Sequence, residues 1–369
     1  MKEAAGVEGW IHRRIAREGP VAFPQFMEWA LGAPGTGFYT RAEAAVGRGG
    51  DFVTSPSLSP VFGRTLGRVV PRLVRATGVE ALRVIDAGAG DGHLAAALAA
   101  VVRPPIELVL VEPGPALRRR AAARVAAAGV AVLALELVSE LAALPPRPGL
   151  VLANELFDAL PVRRLRRERE GLKECFVASA GGRLVERWLP CPQEPDLEDL
   201  PAGKEVCIAP GCAGLLEALS MGIERGLILI IDYGSSRGQI RAREGVGNPL
   251  RGFHRGALAD DLLAEPGTID LTAHVDFSAL RRAAVAAGLR PLFYCEQTYL
   301  MLALGILEDA GASAARRLFH PEDLGGAFHC LALLKGLDAA ALDLVPLRDH
   351  LAWLSEGGGG TGTAPKRAG

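Results

Sequence analysis

The stretch that most constrains this chain runs from residue 83 to residue 94. Its first half is apolar and predicts a short buried strand, and its second half places glycines at alternate positions, Gly88, Gly90 and Gly92. An apolar helical pattern begins at Leu94. Glycine lets the backbone approach a bound molecule, and the start of a helix presents unpaired N–H groups. Strand, glycine turn and helix in this order therefore predict a ligand site in an α/β fold.

The spacing of the glycines and the acids around them indicate which ligand binds. A dinucleotide fingerprint reads G-x-G-x-x-G, whereas this chain reads G-x-G-x-G, with Asp86 just before it. A carboxylate there would repel a pyrophosphate and favours a cationic amino or sulfonium group. The motif resembles the first motif of class I S-adenosylmethionine-dependent methyltransferases. Glu112 ends the next apolar run, where an acid can accept hydrogen bonds from both ribose hydroxyls. A glycine turn in an ordinary α/β domain is the alternative.

Further polar side chains follow the fourth of four predicted parallel strands. These strands cover 82–86, 107–111, 130–135 and 149–153, and the last is followed by Asn154, Glu155 and Asp158. Ligands bind outside the carboxyl ends of strands in an open parallel sheet, so we predict that these three side chains are reacting groups. The alternative is that Asn154 or Asp158 only caps a helix.

An irregular polar segment at 48–56 precedes the predicted sheet. It contains Gly50, Asp51 and Thr54, and such a segment can fold over a ligand as a lid. A solvated surface loop is the alternative. One helix is predicted over 59–75, with its apolar residues on one face.

The remainder of the chain is predicted to add elements around this core. Residues 163–210 predict a β-rich insertion, and its arginine run 163–169 suits a solvated strand edge or an acidic partner. Residues 235–268 predict a long loop at the ligand-binding edge. His274 could act as a base, but a single histidine in an apolar setting is more often structural.

Composition excludes several classes of function. The net charge of −1 gives no general attraction to nucleic acid or anionic membrane. The six cysteines form no C-x-x-C pair, and nothing near Cys207 and Cys212 supplies further zinc ligands, so we predict no metal site. The charged first seventeen residues are not typical of a secretory signal, and charges interrupt the apolar tract 121–144. We therefore expect a cytoplasmic protein without membrane insertion.

Several strings of residues together resemble one family, the MidA-like methyltransferases, which include the mitochondrial complex I assembly-factor methyltransferase. The matching strings occur in the family's order at 37–39, 50–54, 62–63, 154–162, 231–234 and 270–277. The chain departs from the family pattern at Ser57, where a glutamate is usual, and at Pro60, where a glutamine is usual. These departures bear on the substrate more than on the cofactor.

The resemblance implies a class I methyltransferase Rossmann-like sheet with an N-terminal helical cap and a β-rich insertion. It also implies methyl transfer from S-adenosylmethionine to an arginine of a respiratory complex I subunit. The segments expected are 1–75 for the cap and lid loop, 76–162 for the first part of the core, 163–210 for the insertion, 211–336 for the rest of the core and 337–369 for a C-terminal helix and disordered tail.

Each candidate residue then has an expected role. Glu155 and Asp158 would grip the guanidinium in bidentate fashion, with Asn154 supporting either ligand. The residues expected to bind the cofactor are Gly50, Asp51, Thr54, Asp86, Gly88, Gly90, Gly92, Glu112 and Asn154. The alternatives are a methyltransferase for another protein or a small molecule, a cofactor-binding assembly chaperone with little turnover, and a nicotinamide dehydrogenase, which the glycine spacing disfavours. A homodimer is compatible with the sequence.

Overall fold

Apolar strands alternate with helices along most of the chain. The computed structural model describes residues 6–41, 54–103, 106–130, 132–140, 145–193, 195, 197, 200–242 and 250–355. The α-helices are α1 Val7–Glu18, α2 Phe23–Gly32, α3 Ser55–Leu58, α4 Pro60–Gly67, α5 Val70–Thr77, α6 His93–Ala99, α7 Pro115–Ala127, α8 Cys212–Met221, α9 Arg237–Ala242, α10 Phe277–Ala286, α11 Gln297–Ala303, α12 Leu324–Ala327 and α13 Ala339–Leu342. Short 3-10 helices cover Ile306–Glu308, Arg316–Leu318 and Leu351–Leu354.

The strands fall into three sheets. In chain order they are β1 Val21–Ala22, β2 Arg83–Ala87, β3 Ile106–Val111, β4 Val132–Val138, β5 Arg147–Asn154, β6 Arg163–Glu168, β7 Gly171–Ala180, β8 Arg183–Pro190, β9 Glu205–Ile208, β10 Ile223–Ser235, β11 Leu250–His254, β12 Ala257–Leu258, β13 Asp270–Ala273, β14 Val275–Asp276, β15 Arg290–Glu296 and β16 Phe328–Lys335.

The central sheet has the strand order β15-β16-β10-β5-β2-β3-β4, and β14 pairs with the end of β10. Strands β2 to β5 and β10 are parallel, whereas β16 is antiparallel to both of its neighbours. The chain runs outwards from β2 to β4 and returns to β5 on the other side of β2. The topological switch point, where such sheets bind ligands, therefore lies between β2 and β5. The predicted α/β fold is confirmed.

Helices cover both faces of this sheet, which explains its continuous apolar strands. Residues of α4, α5, α6 and α11 form one apolar core with the sheet, and residues of α8 and α10 form another on the opposite face. Five consecutive residues of β10, 227–231, are at most 1% exposed. The carboxyl ends of the middle strands are thus held in a rigid frame.

The prediction of one continuous helix over 59–75 is wrong. Helix α4 ends at Gly67 and α5 begins at Val70, with Pro71 in its first turn. Proline has no N–H and its ring clashes with the carbonyl four residues earlier, so one helix cannot continue through this point. The N–H groups of Arg68 and Val69 instead bond to carbonyls three residues back. The apolar face is buried as predicted.

The arginine run 163–169 does not form a solvated edge, and that prediction is wrong. Strand β6 lies between β7 and β9 in the second sheet, which has the order β1-β7-β6-β9 with β8 paired to β7. Arg163 pairs with Glu174 through two hydrogen bonds of 2.9 and 2.7 Å. The buried Arg164 pairs with Glu205 at 2.7 Å and also with Glu186. The acidic partners come from β7, β8 and β9, which a local pattern does not reveal.

Aromatic side chains join the N-terminal helices to this second sheet. The guanidinium of Arg164 lies 4.8 Å from the ring centroid of Phe23 and 5.4 Å from that of Trp188. Trp10 of α1 packs edge-to-face on Trp29 of α2, with ring centroids 4.7 Å apart. The cap and the second sheet therefore share one apolar core, distinct from those of the central sheet.

Two other predicted segments differ from the structure. The expected loop 235–268 contains α9 and a β11–β12 hairpin, and β11 pairs with β13 in a third sheet. The expected C-terminal helix is only the short α13, followed by the 3-10 helix Leu351–Leu354. The predicted disordered tail beyond residue 355 lies outside the described residues. Within the described ranges, no helix combines the length and apolarity needed to span a bilayer.

Candidate active site

The three glycines form the predicted sharp turn between β2 and α6. Gly88, Gly90 and Gly92 have φ of 75°, 55° and 84°, which side chains disfavour. The N–H groups of Gly88 and Ala89 donate to the carbonyl of Val111 at 2.9 and 3.0 Å, which fixes the turn to β3. A Cβ at Gly92 would lie 2.8 Å from the Cα of Ala121. The glycines therefore permit both the turn and the close approach of α7.

Glu112 links this turn to the start of α7. Its Oε2 accepts a hydrogen bond from the Gly90 N–H at 3.0 Å, and its Oε1 accepts one from the Gly114 N–H at 2.7 Å. Burial raises the pKa of Glu112 to about 7, although the two N–H groups act against this rise. Each carboxylate oxygen keeps further lone-pair capacity, so the side chain can also accept bonds from hydroxyl groups.

Three buried polar atoms near the ends of β2 and β5 have no hydrogen-bond partner in the described part of the chain. They are Oδ2 of Asp86, Oδ1 of Asn154 and Oγ of Ser55. Burial raises the pKa of Asp86 to about 7. Since buried polar atoms are normally satisfied, this site suits a ligand that donates hydrogen bonds. The amino group of S-adenosylmethionine is such a donor, so the residues present fit this cofactor.

Glu155 follows β5 in a strained backbone conformation. Its φ is 52°, which is uncommon for a residue with a side chain and occurs preferentially at functional sites. Its Oε1 accepts hydrogen bonds from the N–H of Ser55 at 2.9 Å and from Nδ2 of Asn154 at 3.1 Å. Its N–H donates to the carbonyl of Ile231 at 2.9 Å. Glu155 is thus held by β5, β10 and α3 together.

Asp232 shapes the loop that carries Asp158. The carboxylate is fully buried, and its Oδ2 accepts from the N–H groups of Leu156, Phe157 and Asp158 at 3.1, 2.8 and 3.4 Å. Its Oδ1 accepts from the N–H of Tyr233 at 2.8 Å. Because this carboxylate accepts several N–H bonds, it is well suited to holding the loop in one conformation.

Two further residues complete a cluster of four carboxylates. The carbonyl of Asp158 accepts from the N–H of Ala273 at 2.8 Å, which brings β13 alongside. Asp270 begins β13, and its Oδ1 accepts from the hydroxyl of Tyr39 at 2.6 Å. Burial and neighbouring carboxylates raise the pKa of Glu155 to about 8 and that of Asp158 well above its usual value. A cation at this cluster would favour the ionised forms.

The structure therefore gathers most of the predicted site residues at one edge of the central sheet. They are Asp86, Gly88, Gly90, Gly92, Glu112, Asn154, Glu155 and Asp158. Thr54 caps α3 in a reciprocal pair with Ser57, whose Oγ accepts from the Thr54 N–H at 2.9 Å. Gly50 and Asp51 lie outside the described residues. His274 contacts Ser235 Oγ at 2.8 Å and packs edge-to-face on Tyr233.

Sequence reasoning missed Asp270 and Tyr39 as parts of the site. Asp232 did carry a signal, because it follows an apolar strand as Asn154 does. Asp270 and Tyr39 carried none beyond the family strings, since they reach the cluster only through the packing of a third sheet and the N-terminal cap.

Comparison with known proteins agrees with this geometry. The profile of a family of S-adenosyl-L-methionine-dependent methyltransferases matches residues 65–295. The mitochondrial protein arginine methyltransferase NDUFAF7 of Mus musculus is 31% identical, over 87% of this chain and 82% of its own. The Homo sapiens protein of the same name is 28% identical, over 87% and 81%.

A solved structure extends the similarity to three dimensions. The crystal structure of a protein from Burkholderia thailandensis bound to S-adenosyl-homocysteine has a TM-score of 0.82 and 30% identity, over 90% of this chain and 92% of that one. Its ligand is the product left by S-adenosylmethionine after methyl transfer.

One prediction is overturned by these comparisons. We expected a cytoplasmic protein, but the curated relatives are mitochondrial. The charged first residues and the interrupted apolar tract argue against secretion and membrane insertion, but they do not distinguish these two compartments.

The family resemblance, the fold class and the cofactor predicted from the motifs are all confirmed. The chain belongs to the family of S-adenosyl-L-methionine-dependent methyltransferases, and S-adenosylmethionine is its cofactor.

Proposed function

We propose that this methyltransferase modifies arginine side chains of a protein, and that a subunit of respiratory complex I is its acceptor. The observation that carries the proposal is the convergence of Glu155, Asp158 and Asp270 beside the cofactor-binding strand ends. A bound cation favours the ionised form of buried carboxylates, and a guanidinium is such a cation. The relatives named as protein arginine methyltransferases support the same assignment.

We assign the cofactor to the switch point between β2 and β5. When bound, S-adenosylmethionine supplies an electrophilic methyl group on a sulfonium. Gly88, Gly90 and Gly92 would pass beneath its methionine portion, and Glu112 would accept bonds from the ribose hydroxyls. Asp86 and Asn154 would accept from the amino group.

The acceptor guanidinium would lie against Glu155 and Asp158. Its planar fork matches two carboxylates, which would align one nitrogen for in-line attack and localise positive charge on the others. Glu155 would receive the proton that the attacking nitrogen loses, because the bound cation would favour its ionised form.

The test is transfer of isotopically labelled methyl groups to complex I purified from cells that lack this protein, read by mass spectrometry. The wild-type protein should methylate an arginine. Glu155→Gln should bind S-adenosyl-homocysteine normally by calorimetry but transfer at least about 100-fold more slowly. Glu308→Gln, at an exposed ion pair with Arg68, is the matched control and should retain wild-type rates.

Methylation confined to residues other than arginine, or full activity of Glu155→Gln, would refute the proposal. Restoration of complex I assembly by Glu155→Gln without any methyl mark would instead favour a chaperone role.

A further inference from the structure

A turn at residues 35–41 is fixed to the end of helix α2. The N–H groups of Gly37, Phe38 and Tyr39 donate to carbonyls of Ala33, Ala30 and Leu31 at 2.7, 2.9 and 3.0 Å. A Cβ at Gly37 would lie only 2.5 Å from the backbone nitrogen of Ala33, so glycine is required here. The backbone around Tyr39 is therefore held firmly in place.

The same turn is bound to the segment that leads into β13. Arg41 Nη1 donates to the carbonyl of Gly267 at 2.9 Å, and the hydroxyl of Tyr39 donates to Asp270 Oδ1 at 2.6 Å. A Cβ at Gly267 would lie 2.4 Å from the carbonyl oxygen of Thr36. The turn that carries Tyr39 is therefore packed closely against the segment that precedes β13.

Tyr39 also reaches the cofactor half of the site through its backbone. A Cβ at Gly114 would lie 2.5 Å from the carbonyl oxygen of Tyr39, and Gly114 donates its N–H to Glu112. One residue thus contacts the Glu112 turn with its backbone and the carboxylate cluster with its side chain. Burial and the charges of Asp270, Asp158 and Glu155 raise the pKa of the phenol well above 10, so it remains a proton donor.

We propose that Tyr39 is a positioning residue for the acceptor, whose hydroxyl orients the Asp270 carboxylate so that Asp270 joins Glu155 and Asp158 in holding the guanidinium. This inference rests on the proposed function. The hydrogen bond limits the rotation of the Asp270 carboxylate. The backbone contact to Gly114 does not depend on the hydroxyl, so the effects on acceptor and cofactor can be separated.

The test is Tyr39→Phe, which retains the ring and the backbone. The KM for the complex I acceptor should rise about tenfold, as expected for loss of a hydrogen bond to a charged group. The affinity for S-adenosyl-homocysteine by calorimetry should remain within about twofold. Tyr299→Phe removes the hydroxyl of a tyrosine that packs by His350 and Arg348, and it should leave both quantities unchanged.

A double-mutant cycle makes the test specific to Asp270. Tyr39→Phe should add little to the loss caused by Asp270→Asn, because both changes remove one interaction. An unchanged acceptor KM in Tyr39→Phe, equal losses of acceptor and cofactor binding, or additive losses in the double variant would overturn the inference. A wild-type protein that transfers no methyl to arginine would instead refute the proposed function.

Discussion

At the residue scale, Glu155 shows how a binding site for a cation lowers the stability of the protein when the cation is absent. Its carboxyl lies near Asp232 and Asp270, and burial is the largest cause of its raised pKa. Such a group is easiest to bury when it is neutral. A bound guanidinium would favour the ionised carboxylate, so stability in the free state and affinity for the acceptor oppose each other.

This opposition predicts a pH dependence of the free protein. Glu155 loses its proton near pH 4.5 in the unfolded chain but only near pH 8 in the folded protein. The folded state therefore binds more protons in this window, and the contribution of Glu155 to stability is present below pH 4.5 and lost as the pH rises towards 8.

Glu155→Gln should flatten this decline, so that its Tm exceeds that of the wild type by a few degrees at pH 8. Scanning calorimetry between pH 5 and pH 8 measures the slope, with Glu308→Gln as the control. Parallel slopes for all three proteins would contradict the raised pKa.

Residues close together in sequence were predictable, and those joined by packing were not. Gly88, Gly90 and Gly92 follow their strand directly, so local spacing was enough to predict the turn. The bond between Tyr39 and Asp270 joins distant segments through the cap and the third sheet. No local sequence pattern predicts a contact between segments so far apart in the chain.

At the element scale, the close contact between the glycine turn and α7 leads to a testable prediction for Gly92. Alanine at Gly92 would have to adopt a φ of 84° and place its Cβ 2.8 Å from the Cα of Ala121. Gly129, just after α7, has a φ of 60°, but a Cβ added there would meet no atom of the described residues within 4 Å.

Gly129→Ala should therefore cost only the left-handed backbone strain, about 1 kcal/mol. Gly92→Ala should cost about twice that or more, since a backbone atom must also move. Urea unfolding of both variants measures the difference. Equal losses would mean that α7 can shift away from the turn at no cost.

Element boundaries were predictable where one local rule dominates. Gly181 and Gly182 form the turn between β7 and β8, and both have a positive φ, which such a hairpin turn requires. The boundary at Pro71 was not predicted, because the apolar face over 59–75 suits one continuous helix. Proline has no N–H to donate, and this loss divides the pattern into two helices. The charges of β6 resembled an edge strand because their partners, Glu174, Glu186 and Glu205, lie on other strands.

On the scale of the whole molecule, Arg164 joins the N-terminal cap to the second sheet. Its side chain is 3% exposed, lies between Phe23 and Trp188, and pairs with two glutamates. Removal of one member of a buried ion pair leaves the other charges uncompensated.

Arg164→Ala should destabilise the protein by about 3 kcal/mol or more. Hydrogen exchange should show loss of amide protection first in α2 and in β6 to β8, whereas β2 and β5 should be less affected. Arg187→Ala, at an exposed arginine of β8, should change stability by no more than about 0.5 kcal/mol. Uniform loss of protection across all three sheets would show that the cap and the central sheet unfold as one unit.

The aromatic packing of the cap also determines what intrinsic fluorescence can report. Of the four tryptophans, Trp10 and Trp29 lie in the N-terminal helices and Trp188 in the second sheet. The fourth, Trp353, stacks on His350 near β15. None lies on the strands that end at the glycine turn or at Glu155. A change in indole emission when the cofactor is added would therefore signal movement of the periphery, and the filling of the site itself would be nearly silent at these wavelengths.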